Sequence, residues 1–263
     1  MYLRRRRPVP IEYNHAMWSC PAPPPRANPA GIRAKLAPPA RWLAGFALLA
    51  FTAGAALAAT PGLGFSRSVT PGLVQRYAAK FGPNVRARIS GWQEFVRSAA
   101  PAPASADNLP LLGAVNTFFN RVPFVTDQAH WGVEDYWASP AEAVSSNGAD
   151  CEDFSIAKYF ALKELGVPIQ RLRITYVKAV RLNQAHMVLA YYPEPNAVPL
   201  ILDNLEDQVR PASERADLIP VYSFNDEDLL IVRQGQAGAS AGSSLQIRLW
   251  RALLQKLEEE LRY

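Results

Sequence analysis

The chain has 263 residues, 49% of them hydrophobic and 19% charged, which is the balance of a globular protein able to bury a core without disulfide staples. Its formal net charge of +5 is misplaced as a guide to partners: 8 of the 28 Lys and Arg but only one of the 23 Asp and Glu lie in the first 58 residues. The remainder holds 20 basic and 22 acidic residues, near −2, and this removes the electrostatic motive for nucleic-acid binding.

In chain order, Arg4 to Arg7, Arg26, Arg33, Lys35 and Arg41 form a basic, Pro-rich lead-in to the apolar stretch Trp42–Ala58. That stretch ends in Ala56-Leu57-Ala58, a small-residue cleavage pattern, so residues 1–59 read as a secretory signal peptide with a long basic n-region, Met17 being an alternative start. At about 17 residues the apolar run sits at the lower edge for a membrane span, and no cationic stop-transfer flank follows it. The chain is therefore expected to be exported. Removal of the leader takes Cys20 with it and leaves Cys151 as the one cysteine of an exported chain, a residue worth attention in such a compartment.

Residues 60–122 read as a helical subdomain. Helices are expected over Pro71–Phe81 and Val85–Ser98, broken by Gly82-Pro83-Asn84, and over Leu109–Phe119, where Leu111, Leu112, Val115, Phe118 and Phe119 recur at helical spacing. Ala99–Asp107 is a Pro/Ala linker. Residues 123–234 change character. After the breaker Asn147-Gly148-Ala149, Asp150–Leu165 reads as a helix stopped by Gly166 and Pro168. The period then becomes 2, with strands expected at Leu172–Val180, His186–Tyr192, Leu200–Asp203, Ile219–Phe224 and Leu229–Val232. A helix followed by an antiparallel meander is an α+β domain. Residues 235–263 comprise the low-complexity run GQAGASAGSS, read as linker, and an amphipathic helix over Leu245–Tyr263 that either docks on the core or binds a partner.

The chemistry lies in the order Cys151 at a helix start, His186 at a strand start and Asp203 at a strand end. In such a domain the helix N-terminus can meet the ends of adjacent strands, uniting nucleophile, proton carrier and orienting carboxylate. A first-turn position also favours thiolate and offers a backbone N–H for an oxyanion hole. Each piece alone has a plainer reading: Cys151 as a small buried apolar side chain, His186 as one more strand residue, His130 as a rival base. The acids Asp150, Glu152 and Asp153 around the cysteine read either as N-terminal capping or as something that needs a cation to cancel their charge. Trp131 and Trp137 are expected to pack the helical subdomain onto the helix that Cys151 opens, or to line a cleft.

The segments DCEDFSIAKYFALKELGVP, RLRITYVKAVRLNQAHMVLAYYP and LILDN, with WGVEDYWASPAE upstream, resemble the bacterial transglutaminase-like cysteine proteinases, the LapG family of periplasmic proteases. The resemblance covers about residues 115–232. It implies a papain/transglutaminase-like fold in which the catalytic helix packs on an antiparallel sheet. Cys151 would be the nucleophile, His186 the general base and Asp203 the orienting acid. It also implies a need for calcium, held by Asp150 and Glu152 with Asp153 beside them. Independently of the resemblance, Glu134 and Asp135 are further candidate oxygen donors that the sequence leaves open. The implied substrate is the N-terminal region of a large surface adhesin, whose release disperses biofilm. The implied regulator is an inner-membrane cyclic di-GMP receptor that sequesters the protease. Rival readings are an acyltransferase of transglutaminase type, a peptidase of peptidoglycan cross-links, and a non-catalytic calcium-binding module.

Overall fold

The computed structural model describes residues 65–99, 108–232 and 238–263; the leader with Cys20, most of the Ala99–Asp107 linker and residues 235–237 of the low-complexity run lie outside them. Seven helices and one seven-stranded sheet are present among the described residues. The helices are α1 (Pro71–Phe81), α2 (Val85–Ser98), α3 (Leu109–Phe119), α4 (Asp127–His130), α5 (Pro140–Ser146), α6 (Cys151–Glu164) and α7 (Arg248–Glu260). The strands are β1 (Leu172–Ala179), β2 (Gln184–Tyr191), β3 (Leu200–Leu202), β4 (Arg210–Pro211), β5 (Leu218–Phe224), β6 (Leu229–Ile231) and β7 (Ala239–Gly242). They lie in the order β4-β3-β2-β1-β5-β6-β7, every neighbour antiparallel.

Local chemistry accounts for the helix boundaries. Thr70 caps α1 by accepting from the Leu73 amide at 3.2 Å, and Pro71 fills the first position, where no N–H is needed. Gly166 (φ 89°) ends α6, with Gly166 N donating to Lys163 O at 3.1 Å and Val167 N to Leu162 O at 3.0 Å, the paired bonds of a Schellman stop. In α5 the Ser139 hydroxyl accepts from the Glu142 amide and the Glu142 carboxylate accepts from the Ser139 amide, a closed capping box.

The centre of the molecule is α6. Every residue from Cys151 to Leu162 is buried, because α3 and α5 pack against the helix together with β1 and β2. A helix covered on all sides must take its polar residues inside with it, and Glu152, Asp153, Ser155 and Lys158 are all buried.

Two parts of the C-terminal segment differ from a linker plus helix. Ala239–Gly242 adds an edge strand to β6, where Gly and Ala carry no side chain that opposes pairing. Helix α7 is docked: Trp250, Leu253 and Leu257 are buried, and Trp250 meets Tyr159, Phe160 and Phe224. Its far end is tied in by Lys256, whose Nζ donates to Trp137 O at 2.9 Å and to Glu142 Oε2 at 2.7 Å. Trp137 stacks on Phe224 of β5, while Trp131 meets Phe81 of α1 and Tyr136.

Candidate active site and metal centre

The approach to Cys151 is built by a short parallel bridge, Phe124 to Ala149, with Val125 N donating to Ala149 O at 2.9 Å and Ala149 N to Pro123 O at 3.2 Å. Gly148 allows the imidazole of His130 to lie against the backbone: a Cβ there would sit 2.7 Å from the ring. This lacing draws α4 and its first residue, Asp127, onto the start of α6.

Asp150 occupies the N-cap of α6 but makes no side-chain capping bond. Its Oδ2 accepts instead from Asp127 N at 3.3 Å, and Asp153 Oδ1 accepts from Ala138 N at 2.7 Å. Both acids therefore engage the 127–138 loop, and capping alone does not account for them. Oxygens of Asp127, Asp150 and Asp153 lie within 4.8 Å of one another, as do oxygens of Asp127, Asp135 and Glu152. Only Asp135 is not fully buried. Asp150 Oδ1 and Asp153 Oδ2 are buried with no hydrogen-bond partner.

So many carboxylates cannot all stay ionised in a dry pocket unaided. Burial, with Asp150 next in importance, pushes Asp127 up to about 8. Burial pushes Asp150 up to about 6, and it drives Glu152 and Asp153 well above the usual range, again reinforced by Asp150. A calcium ion surrounded by oxygens at about 2.3–2.6 Å requires donors no more than roughly 5 Å apart, and it offers partners to orphaned carboxylate oxygens. The cluster meets both conditions. The expected donors Asp150, Glu152 and Asp153 belong to it, and so does Asp135; Glu134 is exposed and does not. Asp127 completes both groups.

On the sheet, His186 is the third residue of β2, with its side chain fully buried. Its Nε2 lies 2.8 Å from Asp203 Oδ1, just beyond the end of β3. Asp203 is held from several directions. Leu205 N donates to Oδ1 at 2.9 Å, Arg215 Nη2 donates to Oδ2 at 2.8 Å, and Asn120 Nδ2, from the end of α3, donates to its backbone carbonyl at 2.9 Å. Burial alone would raise the Asp203 carboxyl, but the His186 ring, the Leu205 amide and the Arg215 guanidinium outweigh it and hold the group well below the usual carboxylate range. The rival base, His130, is half-buried against Trp131, and its Nε2 has no hydrogen-bond partner, so no carboxylate there fixes its ring.

The structure thus joins His186 to Asp203 and sets Cys151 at the head of the helix that packs on β2. It does not hydrogen-bond the ring to the sulfur. Cys151 Sγ lies 3.4 Å from Glu152 Oε2, and His186 Nδ1 has no hydrogen-bond partner.

Two residues of the site escaped the sequence. Asp127 lies 23 positions before Asp150, in a four-residue helix with no periodic signal, and only the Phe124 to Ala149 bridge makes them neighbours. Arg215 lies in a turn between β4 and β5 with no motif around it.

Comparison with known proteins agrees with this architecture. Residues 93–217 match the family model described as bacterial transglutaminase-like cysteine proteinase BTLCP. No curated protein sequence matches. Among solved structures the chain is similar to Legionella pneumophila LapG, EGTA-treated, at 41% identity and a TM-score of 0.60, over 70% of this chain and 95% of that one. The calcium-bound form of Legionella pneumophila LapG matches at 42% identity and a TM-score of 0.59, over 70% of this chain and 97% of that one. With a buried acid cluster at the head of a central helix packed on an antiparallel sheet, the chain belongs to the bacterial transglutaminase-like cysteine proteinases.

Proposed function

We propose that the chain is a calcium-dependent cysteine endopeptidase of the periplasm with Cys151, His186 and Asp203 as its catalytic residues. The observation that carries this reading is the fully buried His186–Asp203 pair, 2.8 Å apart, on a strand packed against the helix that Cys151 opens. With Nε2–H donated to Asp203, Nδ1 is the ring atom left to exchange a proton with the sulfur. The Cys151 thiolate adds to the peptide carbonyl carbon, and the C–N bond breaks as the imidazolium passes its proton to the departing amine. Water, deprotonated by the same ring, then hydrolyses the thioester and returns the thiol.

Asp127, Asp135, Asp150, Glu152 and Asp153 would hold the calcium ion, which when bound neutralises the acids that otherwise oppose a thiolate beside them. The same residues anchor the start of α6, since Asp150 and Asp153 also receive the Asp127 and Ala138 amides. Calcium binding by this chain is supported by the calcium-bound state of its 42% identical relative and by the orphaned carboxylate oxygens here.

For the substrate we propose the N-terminal region of a large surface adhesin, cut at an Ala-Ala type of bond to release the adhesin and disperse biofilm. We propose an inner-membrane cyclic di-GMP receptor as the partner that sequesters the enzyme. Both rest on family resemblance. The test is cleavage of an internally quenched peptide carrying an Ala-Ala bond, by the wild type and by Cys151→Ala, His186→Ala and Asp203→Asn, each with calcium and with EGTA. Hydrolysis that needs all three residues and calcium is expected. Hydrolysis that survives Cys151→Ala sinks the assignment. Amine incorporation without hydrolysis would make the chain an acyltransferase, and an inactive chain that binds calcium would make it a binding module.

A further inference from the structure

The environment of Asp203 contains more than a triad requires. Arg215 is 8% exposed and stands between two carboxylates. Its Nε donates to Asp217 Oδ1 at 3.0 Å and its Nη2 to Asp217 Oδ2 at 2.9 Å, a two-point fork that fixes the plane of the guanidinium. The second hydrogen of Nη2 goes to Asp203 Oδ2 at 2.8 Å, opposite the oxygen that meets His186. The turn that carries Arg215 is itself pinned: Arg215 N donates to Ala212 O at 3.1 Å, Leu218 N to Arg215 O at 3.0 Å, and Val180 N, at the exit of β1, to Asp217 O at 2.8 Å.

Resting on the protease reading above, we propose that Arg215, oriented by Asp217, is a positioning residue for the reaction: it clamps the Asp203 carboxylate so that His186 keeps its proton on Nε2 and its Nδ1 bare. The chemistry favours Arg at this place. A lysine is a single point charge and cannot engage both Asp217 oxygens and Asp203 in one plane. Without the clamp, Asp203 Oδ2 would be a buried acceptor with no donor, and the carboxylate would be free to rotate or to take a proton, either of which releases the ring. The depressed titration of Asp203, to which Arg215 contributes, agrees with this. The clamp borders an open cleft of about 400 Å³ lined by Arg181, Leu182, Arg215, Asp217 and Leu218, so solvent can fill the space that a shorter side chain at 215 leaves.

The test compares the wild type with Arg215→Gln, Arg215→Lys and Ile201→Ala, the last removing a buried apolar side chain of β3 that is not part of the Asp203 hydrogen-bond set. Three quantities are followed: kcat and KM on the quenched peptide against pH, the melting temperature, and the far-downfield N–H proton of His186, assigned by its absence in His186→Ala. Arg215→Gln should lower kcat about 100-fold with KM nearly unchanged, the loss typical of a misplaced catalytic group. Its acidic limb should move to higher pH and its downfield signal should vanish, while Arg215→Lys recovers part of both. Ile201→Ala should lose stability but keep the signal and the limb. Should Arg215→Gln retain kcat, limb and signal in a wild type that hydrolyses the peptide, the clamp is wrong and the protease reading stands. A wild type that shows the signal, loses it with Arg215→Gln, yet cleaves nothing would keep the clamp and sink the protease reading.

Discussion

Replacing Asp127 by Asn separates the two demands that the acid cluster makes on the chain. An oxygen of Asp127 lies within 4.8 Å of oxygens of Asp150 and Asp153. Two ionised carboxylates at that distance repel by about 3 kcal/mol at an effective dielectric near 20. The same opposition appears in the titration of Asp127, pushed up to about 8 first by burial and then by Asp150. Asparagine keeps an acceptor for the Tyr136 amide, which donates to Asp127 Oδ2 at 2.5 Å, and removes the charge. In EGTA at pH 8, where Asp127 would otherwise be substantially ionised, Asp127→Asn should therefore stabilise the chain by about 3 kcal/mol, or about 6–12 °C in Tm for a domain of this size. With calcium the sign reverses, because a ligand and a charge are gone. The calcium-induced rise in Tm should shrink and the affinity, measured by calorimetry, should fall at least about tenfold, some 1.4 kcal/mol. A variant that is destabilised equally in EGTA and in calcium would show that Asp127 serves only the Tyr136 amide and stands outside the metal site.

Other perturbations follow from the packing. Glu260, on the docked face of α7, accepts from Ser139 Oγ at 2.6 Å and from the Tyr77 hydroxyl, and burial above all raises it from 4.5 to about 7. Its neutral form is the one the fold favours, so the associated stability is complete below pH 4.5 and is lost as pH climbs through about 7, a change of about 3 kcal/mol. Glu260→Gln should thus raise Tm at pH 8 and not at pH 4.5; an equal effect at both would refute the titration. Trp250→Ala empties a fully buried site between Tyr159, Phe160 and Phe224 and should cost about 3–5 kcal/mol in denaturant melts. Loss of less than about 1 kcal/mol would mean that α7 is not part of the core. Gly148→Ala must move the His130 ring, 2.7 Å from the new Cβ, and should cost about 1–3 kcal/mol and weaken calcium binding through the adjacent Asp150.

What could be read from the sequence was what local chemistry writes. The α+β order, the Gly166 stop, the strands through His186 and before Asp203, and the acids flanking Cys151 are all short-range signals, and the structure contains each of them. Long-range geometry was not written there. Asp127 becomes a cluster member through a two-residue bridge, and Arg215 becomes a partner of Asp203 through a turn pinned to the end of β1. The full burial of α6 was hidden because a helix enclosed by helices and sheet together needs no single apolar stripe. Ala239–Gly242 looked like linker because edge pairing asks little of side chains once β6 supplies the register.

The most direct measurement is the alkylation rate of Cys151 at pH 6 under reducing conditions, in the wild type with calcium, in the wild type with EGTA, and in His186→Ala with calcium, each adduct located by mass spectrometry. A cysteine served by the His186–Asp203 pair and a cation-neutralised acid cluster should react fastest in the first sample and at least about tenfold slower in the other two, the mark of a thiolate held by its surroundings. A slow rate, the same in all three, would mean that neither the ring nor the metal acts on Cys151, and the catalytic assignment would fall.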